Sequence, residues 1–319
     1  MNRNAGGIRP WMELLRISNA PTVVTNVLAG AAVGFAALPA EAPAGGSGPQ
    51  VAAPASQLAA FGTLALVGAG VVFVYLAGMV LNDAFDARAD AAERPGRPIP
   101  SGRVSVVRAL TVGMAMLGVG TAMVAVASGA GLALGLAAAV LLYDLSHRLL
   151  PGAFLLMAAC RAFVPVIAAV AVSQQADTQA LRWVAGGLAA YTAGISLAAR
   201  DEVRGFGASA RFGAWTLPFT ACAPVGLWLW SGVPSPGGWS LGLGLAATVA
   251  ALLSVAVGML VARRGAARFA VPVAVGMWIG AIPLIDAATC CMLGRPFLGL
   301  ACLGLWGVAG ALRPRIAAS

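Results

Sequence analysis

"LAAFGTLALVGAGVVFVYLAGMVLNDAFDARADAAERPGRPIPSG", residues 58–102, begins as an apolar run and ends in three aspartates and a proline-rich series of arginines. Its first part, 58–81, reads as a transmembrane helix, because about 20 apolar residues rising 1.5 Å each cross the hydrocarbon core of a bilayer. Comparable runs lie at 20–38, 106–127, 130–145, 152–173, 182–199, 213–231, 240–262, 268–292 and 296–312. The chain of 319 residues is 60% hydrophobic and only 10% charged, too little polar surface to cover a soluble fold of that size. The expectation is an all-α protein: a polytopic transmembrane helical bundle of nine to ten spans, forming one domain over 1–319 with polar loops capping the cytoplasmic face. The 39–57 connection, rich in alanine, glycine and proline, reads as a flexible external loop. The N-terminal stretch is too mixed for a cleavable signal.

The net charge is +9 and all 20 basic residues are arginine. No basic stripe interleaved with aromatics is present, so nucleic acid is not an expected partner. The arginines follow membrane topology instead. With a cytoplasmic N-terminus, seventeen fall on the inside and two, Arg182 and Arg295, outside, which sets the orientation. The five cysteines all sit in apolar runs without metal-binding spacing and read as small buried side chains.

Asp83, Asp86 and Asp90 are spaced i, i+3, i+7, and Asn82, Asp86 and Asp90 i, i+4, i+8. If the second span continues as helix beyond the bilayer, all four share one face. Three carboxylates so placed repel one another. Magnesium resolves the conflict, since it takes oxygen ligands and is commonly shared between one or two carboxylates and substrate phosphates. In the "ERPGRPIPSGR" that follows, Pro95, Pro98 and Pro100 forbid a helix and are expected to hold the backbone extended. Arg94, Arg97 and Arg103 are then presented on a stiff loop, and arginine's planar fork suits phosphate oxygens. A lipid-headgroup boundary explains the arginines but not the one-face aspartates. Together the two groups describe a site for a magnesium diphosphate. A second acidic cluster, "ARDEVRG" at 199–205, follows the sixth span, four crossings later, and so emerges on the same face.

"NDAFDARAD" followed by "RPGRPIPSG" resembles the first signature of the UbiA superfamily of intramembrane prenyltransferases. More loosely, "LLRISNAPTVVTNVLAG" resembles that family's first helix and "YDLSHR" the end of its fourth. The resemblance implies a bundle with a large lipid-open cavity where a polyprenyl diphosphate ionises with magnesium. It implies metal binding by Asn82, Asp83, Asp86 and Asp90 on one side and by Asp201 and Glu202 on the other. Arg94, Arg97, Arg148 and Arg204 would hold the diphosphate. The family's second signature is D-x-x-x-D, whereas Gly205 stands four residues after Asp201, so the second motif is degenerate. "YDLSHRLLPGAFLLMAACRAF" together with "RDE" resembles a divergent, EboC-like branch, and the pattern also fits UbiA-type terpene cyclases, which use no acceptor. A transferase would pass the prenyl group to a lipophilic or aromatic acceptor. A third reading is a non-enzymatic transport or scaffold protein of the same fold.

Several further residues are candidates for the cavity. Tyr143 and Asp144 stand where the fourth span meets the cytoplasm, and Asp144 and His147, at i, i+3, are positioned to pair. Arg161 and Asp286 fall inside predicted spans, where charge is costly and faces a cavity or a partner. They are expected to pair with each other or to line the chamber. Asn19 and Asn26 are placed to reach its polar end.

Overall fold

The computed structural model describes residues 7–38, 54–174, 178–200, 207–230, 235–263 and 270–312. Among the described residues every regular element is a helix. α1 (Ile8–Leu15) is a short amphipathic helix that buries Pro10 and Leu14. It ends at Arg16, whose left-handed backbone (φ 44°, ψ 46°) is costly for a non-glycine residue. A turn of 3-10 helix, Ile17–Asn19, leads into α2 (Ala20–Ala36). The long α3 (Pro54–Phe85) has 32 residues, about 48 Å at 1.5 Å per residue, and so outruns a hydrocarbon core of about 30 Å. Its surplus length carries the acidic motif out of the apolar region. Pro54 opens this helix, so only 39–53 of the expected external loop remains, outside the described residues.

The remaining helices follow the apolar runs closely. They are α4 (Ala87–Glu93), α5 (Val106–Ser128), α6 (Ala130–Ser146), α7 (Ala153–Val172), α8 (Thr178–Ala199), α9 (Ala208–Ala221), α10 (Ala223–Trp230), α11 (Gly238–Arg263), α12 (Ala270–Met292) and α13 (Pro296–Leu312). Ser105 caps α5 by accepting the Arg108 N–H. The expected single span at 213–231 is interrupted at Cys222, between α9 and α10. Pro224 lacks the N–H that a continuous helix would need there.

Seven helical segments are long and apolar enough to cross a membrane among the described residues, and the chain is an integral membrane protein. This is fewer than the nine to ten spans read from the sequence. α6 and α13 have 17 residues each, about 26 Å, just under the usual core thickness. In α8 the apolar run is diluted by Arg182, Trp183, Tyr191 and Thr192.

Two packed groups share a central pair. One group joins α2, α3, α5, α6 and α7 around Val67, Val71, Val74 and Leu136. The other joins α8, α9, α11 and α12 around Tyr191, Leu217 and Trp278. α2 and α12 are the most enclosed of the long helices and connect the groups. Close approach at the α2–α7 contact requires glycine, because a Cβ at Gly30 would collide with the Pro165 backbone.

Candidate active site

The acidic face survives the end of α3. The Asp86 N–H donates to the Asn82 carbonyl at 2.9 Å and the Asp90 N–H to the Asp86 carbonyl at 2.8 Å. The helical path therefore continues through the α3–α4 junction, and the three aspartates form one ladder, all buried. A ladder of buried carboxylates needs compensating charge, and basic groups from three separate segments supply it.

Arg16, aimed back by its left-handed turn, lies 3.0 Å from Asp83. Arg97 bridges Asp90 at 2.6 Å and Asp83 at 3.4 Å. Arg148, just beyond α6, reaches Asp86 at 2.8 Å, Asp90 at 3.7 Å and Glu93 at 3.3 Å. His147 Nε2 lies 3.1 Å from the second Asp86 oxygen and stacks on Tyr143. Burial works against the charge of Asp86, but the hydrogen bond and charge of His147, with those of Arg148, outweigh it and hold the carboxyl below its ordinary range. The same Asp86 bond raises the pKa of His147 despite burial of the ring.

The proline-rich segment is not the extended arm expected. Arg97, Ser101, Gly102 and Val104 all close backbone turns, because a proline φ near −65° serves a turn as well as an extended strand. Ile99 and Val104 tuck into a small apolar cluster with Leu14, Val80 and Ala109. The loop thus folds over the ladder, and its arginines part company. Arg97 points inward and is 8% exposed, Arg103 pairs with Glu13 at 2.9 Å, and Arg94 stays exposed.

Below the ladder lies a cavity of about 220 Å³ between α2, α3, α6, α7 and α12. Its rim carries Arg16, Asn19, Tyr143 and Asp144, its wall is chiefly valine with Tyr75, two methionines and single leucine and isoleucine residues, and Arg161 faces it further along. Asp144 connects cavity and ladder, accepting a hydrogen bond from Asn82 Nδ2 at 3.3 Å. The expected pairing of Asp144 with His147 is limited to the backbone: His147 Nδ1 lies 3.3 Å from the Asp144 carbonyl.

Arg161 and Asp286 meet through a third residue. Asn26 accepts from Arg161 at 2.7 Å and donates to Asp286 at 2.7 Å, while Thr22 also accepts from Arg161. No direct ion pair joins the two charges. This relay ties α2, α7 and α12 together beside the cavity.

Asp201, Glu202 and Arg204 lie outside the described residues. The residue before them, Arg200, hydrogen-bonds the Pro151 carbonyl in the turn between α6 and α7, close in sequence to His147 and Arg148. Two residues of the site had not been assigned to it: Arg16, counted only among the topological charges, and His147, expected only to pair with Asp144.

Known proteins can now be compared with this arrangement. The family model described as UbiA prenyltransferase family matches residues 42–270. The chain belongs to the UbiA prenyltransferase family. Among its relatives, a digeranylgeranylglyceryl phosphate synthase from Methanopyrus kandleri is 46% identical over 72 residues, covering 23% of this chain and 27% of that protein. Another, from Methanosarcina barkeri, is 30% identical over 117 residues, covering 37% of this chain and 38% of that protein. The chain thus matches well under half the length of these curated relatives. UbiA-family folds in solved structures align far more extensively. A structure from work on digeranylgeranylglyceryl phosphate synthase in membranes has a TM-score of 0.58 at 15% identity and covers 90% of this chain and 99% of that one. The apo structure of a UbiA homologue from Aeropyrum pernix K1 also has a TM-score of 0.58, at 17% identity, covering 84% and 96%. At these identities the likeness is one of fold.

The ladder's fitness for magnesium rests on its donors. Asn82 and the three aspartates offer hard oxygen ligands, and Asp83 Oδ2 is buried without a hydrogen-bond partner; this suits the ion's chemistry. Among the described residues no three His, Cys, Asp or Glu side chains converge as a closed metal site. Arg97 and Arg148 stand between the carboxylates instead.

Proposed function

We propose that this protein is a magnesium-dependent intramembrane prenyltransferase that ionises a polyprenyl diphosphate and passes the prenyl group to a lipophilic acceptor. The observation that carries the reading is the interleaving of Asp83, Asp86 and Asp90 with Arg16, Arg97 and Arg148 at the rim of an apolar cavity. Such a set can change partners without changing total charge. Asp83, Asp86 and Asp90, with Asn82 and with Asp201 and Glu202 from the following loop, would hold magnesium, while Arg97, Arg148, Arg94 and Arg204 would hold phosphate oxygens. Magnesium held by these residues would supply Lewis-acid stabilisation of the negative charge on the departing diphosphate. The arginines are preorganised for that same charge, which strengthens their contribution as the C–O bond lengthens. The chiefly aliphatic wall excludes water from the allylic cation.

The cavity volume is below the roughly 300–1,000 Å³ of sites that enclose a drug-sized ligand. It takes the reacting end of the substrate and leaves the rest of the chain among helices and lipid. Transfer is favoured over cyclisation by the Arg161 guanidinium facing an otherwise largely aliphatic wall. A fixed positive charge there opposes migration of the cation down the chain. The relatives' names support a glyceryl phosphate lipid as acceptor class. In this reading α6, α8 and α13 complete nine to ten crossings, and the N-terminus and both acidic motifs face the cytoplasm, as the arginine distribution supports.

The test is diphosphate release by purified protein in lipid vesicles given geranylgeranyl diphosphate. Release that needs both magnesium and an added membrane-lipid extract is expected. Release with a cyclised product and no extract would make the protein a cyclase. No release from folded protein under any of these conditions would return it to the scaffold or transport reading.

A further inference from the structure

The ladder accounts for the diphosphate but not for Asp144. This carboxylate is 4% exposed and faces the cavity. One of its oxygens accepts from Asn82, and the other, Oδ2, is buried with no hydrogen-bond partner. A buried carboxylate oxygen left unpaired is costly. Asp144 also joins no convergent group of potential metal ligands among the described residues, and the neighbouring Asn82 presents it with N–H rather than oxygen. What Oδ2 lacks is a hydrogen-bond donor arriving from the cavity.

Gly78, one turn before Asn82 on α3, also lines the cavity and places no side chain between it and the carboxylate. A Cβ built there would stand 3.9 Å from Asp144 Oδ2 and 3.0 Å from Val140 Cγ1. Any larger side chain would take up the space beside the carboxylate. The niche is apolar on the Val140 side and acidic on the other, and one side chain, Asn82, separates it from the ladder. We infer that this niche recognises the acceptor as an alcohol, its hydroxyl donating to Asp144 Oδ2 over Gly78. The inference takes its purpose from the prenyl-transfer reading. A hydroxyl held there keeps its oxygen lone pairs facing the place where the diphosphate departs, whereas an ether or an aromatic carbon has no proton to offer the carboxylate.

Binding tests this apart from catalysis. The probes are a dodecyl glycerol phosphate with a free hydroxyl and its O-methyl ether, titrated calorimetrically into wild-type protein in lipid nanodiscs with chelator present. Wild type is expected to bind the alcohol about tenfold or more tighter than the ether, the scale of one hydrogen bond to a buried charge. Asp144→Asn keeps an oxygen for Asn82 but places N–H where Oδ2 stood, so the two probes should bind within about twofold of each other. Gly78→Ser brings a hydroxyl of the protein's own to the niche and should weaken the alcohol selectively. Equal binding of the two probes by wild type, or discrimination retained in Asp144→Asn, would overturn the inference. Failure of diphosphate release would instead count against the transferase reading, and the two results are read from separate experiments.

Discussion

Two groups of charge lie within this bundle, and they are built differently. At the ladder, each aspartate touches at least one guanidinium directly, the basic partners come from three segments, and Arg148 is 39% exposed. Beside the cavity, Arg161 and Asp286 never touch; Asn26 stands between them, and all contacts run to three packed helices. Direct pairs at a partly wet rim can be exchanged for a metal and a phosphate. A relay fixed by an amide inside the membrane has only neutral groups such as Thr22 beside it, and breaking it leaves charge uncompensated. The first group is arranged for turnover and the second for holding α2, α7 and α12 in register around the cavity.

The largest effect expected from this contrast is on catalysis at the ladder. Asp86→Asn should lower magnesium-dependent diphosphate release by roughly 10²–10⁴-fold, the scale on which electrostatic stabilisation of a leaving group acts, with a smaller fall in melting temperature than a break in the relay gives. A comparable rate in that variant would break the distinction. Next comes the relay. Asn26→Leu removes both bridging bonds and should destabilise the protein by about 3 kcal/mol, read as a fall in melting temperature in detergent, while the KM for prenyl diphosphate moves little in whatever fraction stays folded. A smaller effect is expected at Arg97. Nη1 alone reaches both Asp83 and Asp90, so lysine keeps that charge but loses the planar fork for phosphate oxygens, and the KM for prenyl diphosphate should rise about tenfold.

The smallest effect is a pH dependence at the His147–Asp86 pair in chelator. His147 has its folded pKa raised, so its contribution is complete below its unfolded value, about 6.5, and fades as pH rises through the higher folded value. Asp86 has its folded pKa lowered, so its share is present above about 3.9 and is lost as pH falls through the folded value. The melting-temperature difference between wild type and His147→Gln should therefore be widest between those limits and vanish once pH has risen past the folded His147 value. A difference that grows toward alkaline pH would show that the pair is not ionic.

How much of this could be read beforehand varied with the range of the interaction. The helices and the one-face spacing of Asp83, Asp86 and Asp90 are local properties, set by hydropathy and a 3.6-residue period, and both were legible. The direction of Arg97 was half legible: prolines signal a break in helix, but the same φ serves an extended arm or a chain of turns, and only the burial of Ile99 and Val104 decides which. Arg16 looked like one topological charge among many, because nothing in its neighbours announces a left-handed turn. The roles of His147 and Asn26 depend on contacts 61 and 260 residues away in the chain, and no periodicity reports which helices become neighbours. Asn26 was therefore placed at the cavity's polar end, and its bridging of the two charges was missed although both had been singled out.

The exchange of partners at the ladder is tested most directly by metal binding with and without diphosphate. Manganese, as a paramagnetic substitute for magnesium, can be titrated into the purified protein and followed by electron paramagnetic resonance. The titration is repeated in the presence of an unreactive thiolodiphosphate analogue of the prenyl substrate. While Arg16, Arg97 and Arg148 hold the carboxylates, binding should be weak. When the analogue engages the arginines, binding should tighten by an order of magnitude or more, and Asp83→Asn should abolish that gain. Equally tight metal binding with and without the analogue would contradict the exchange.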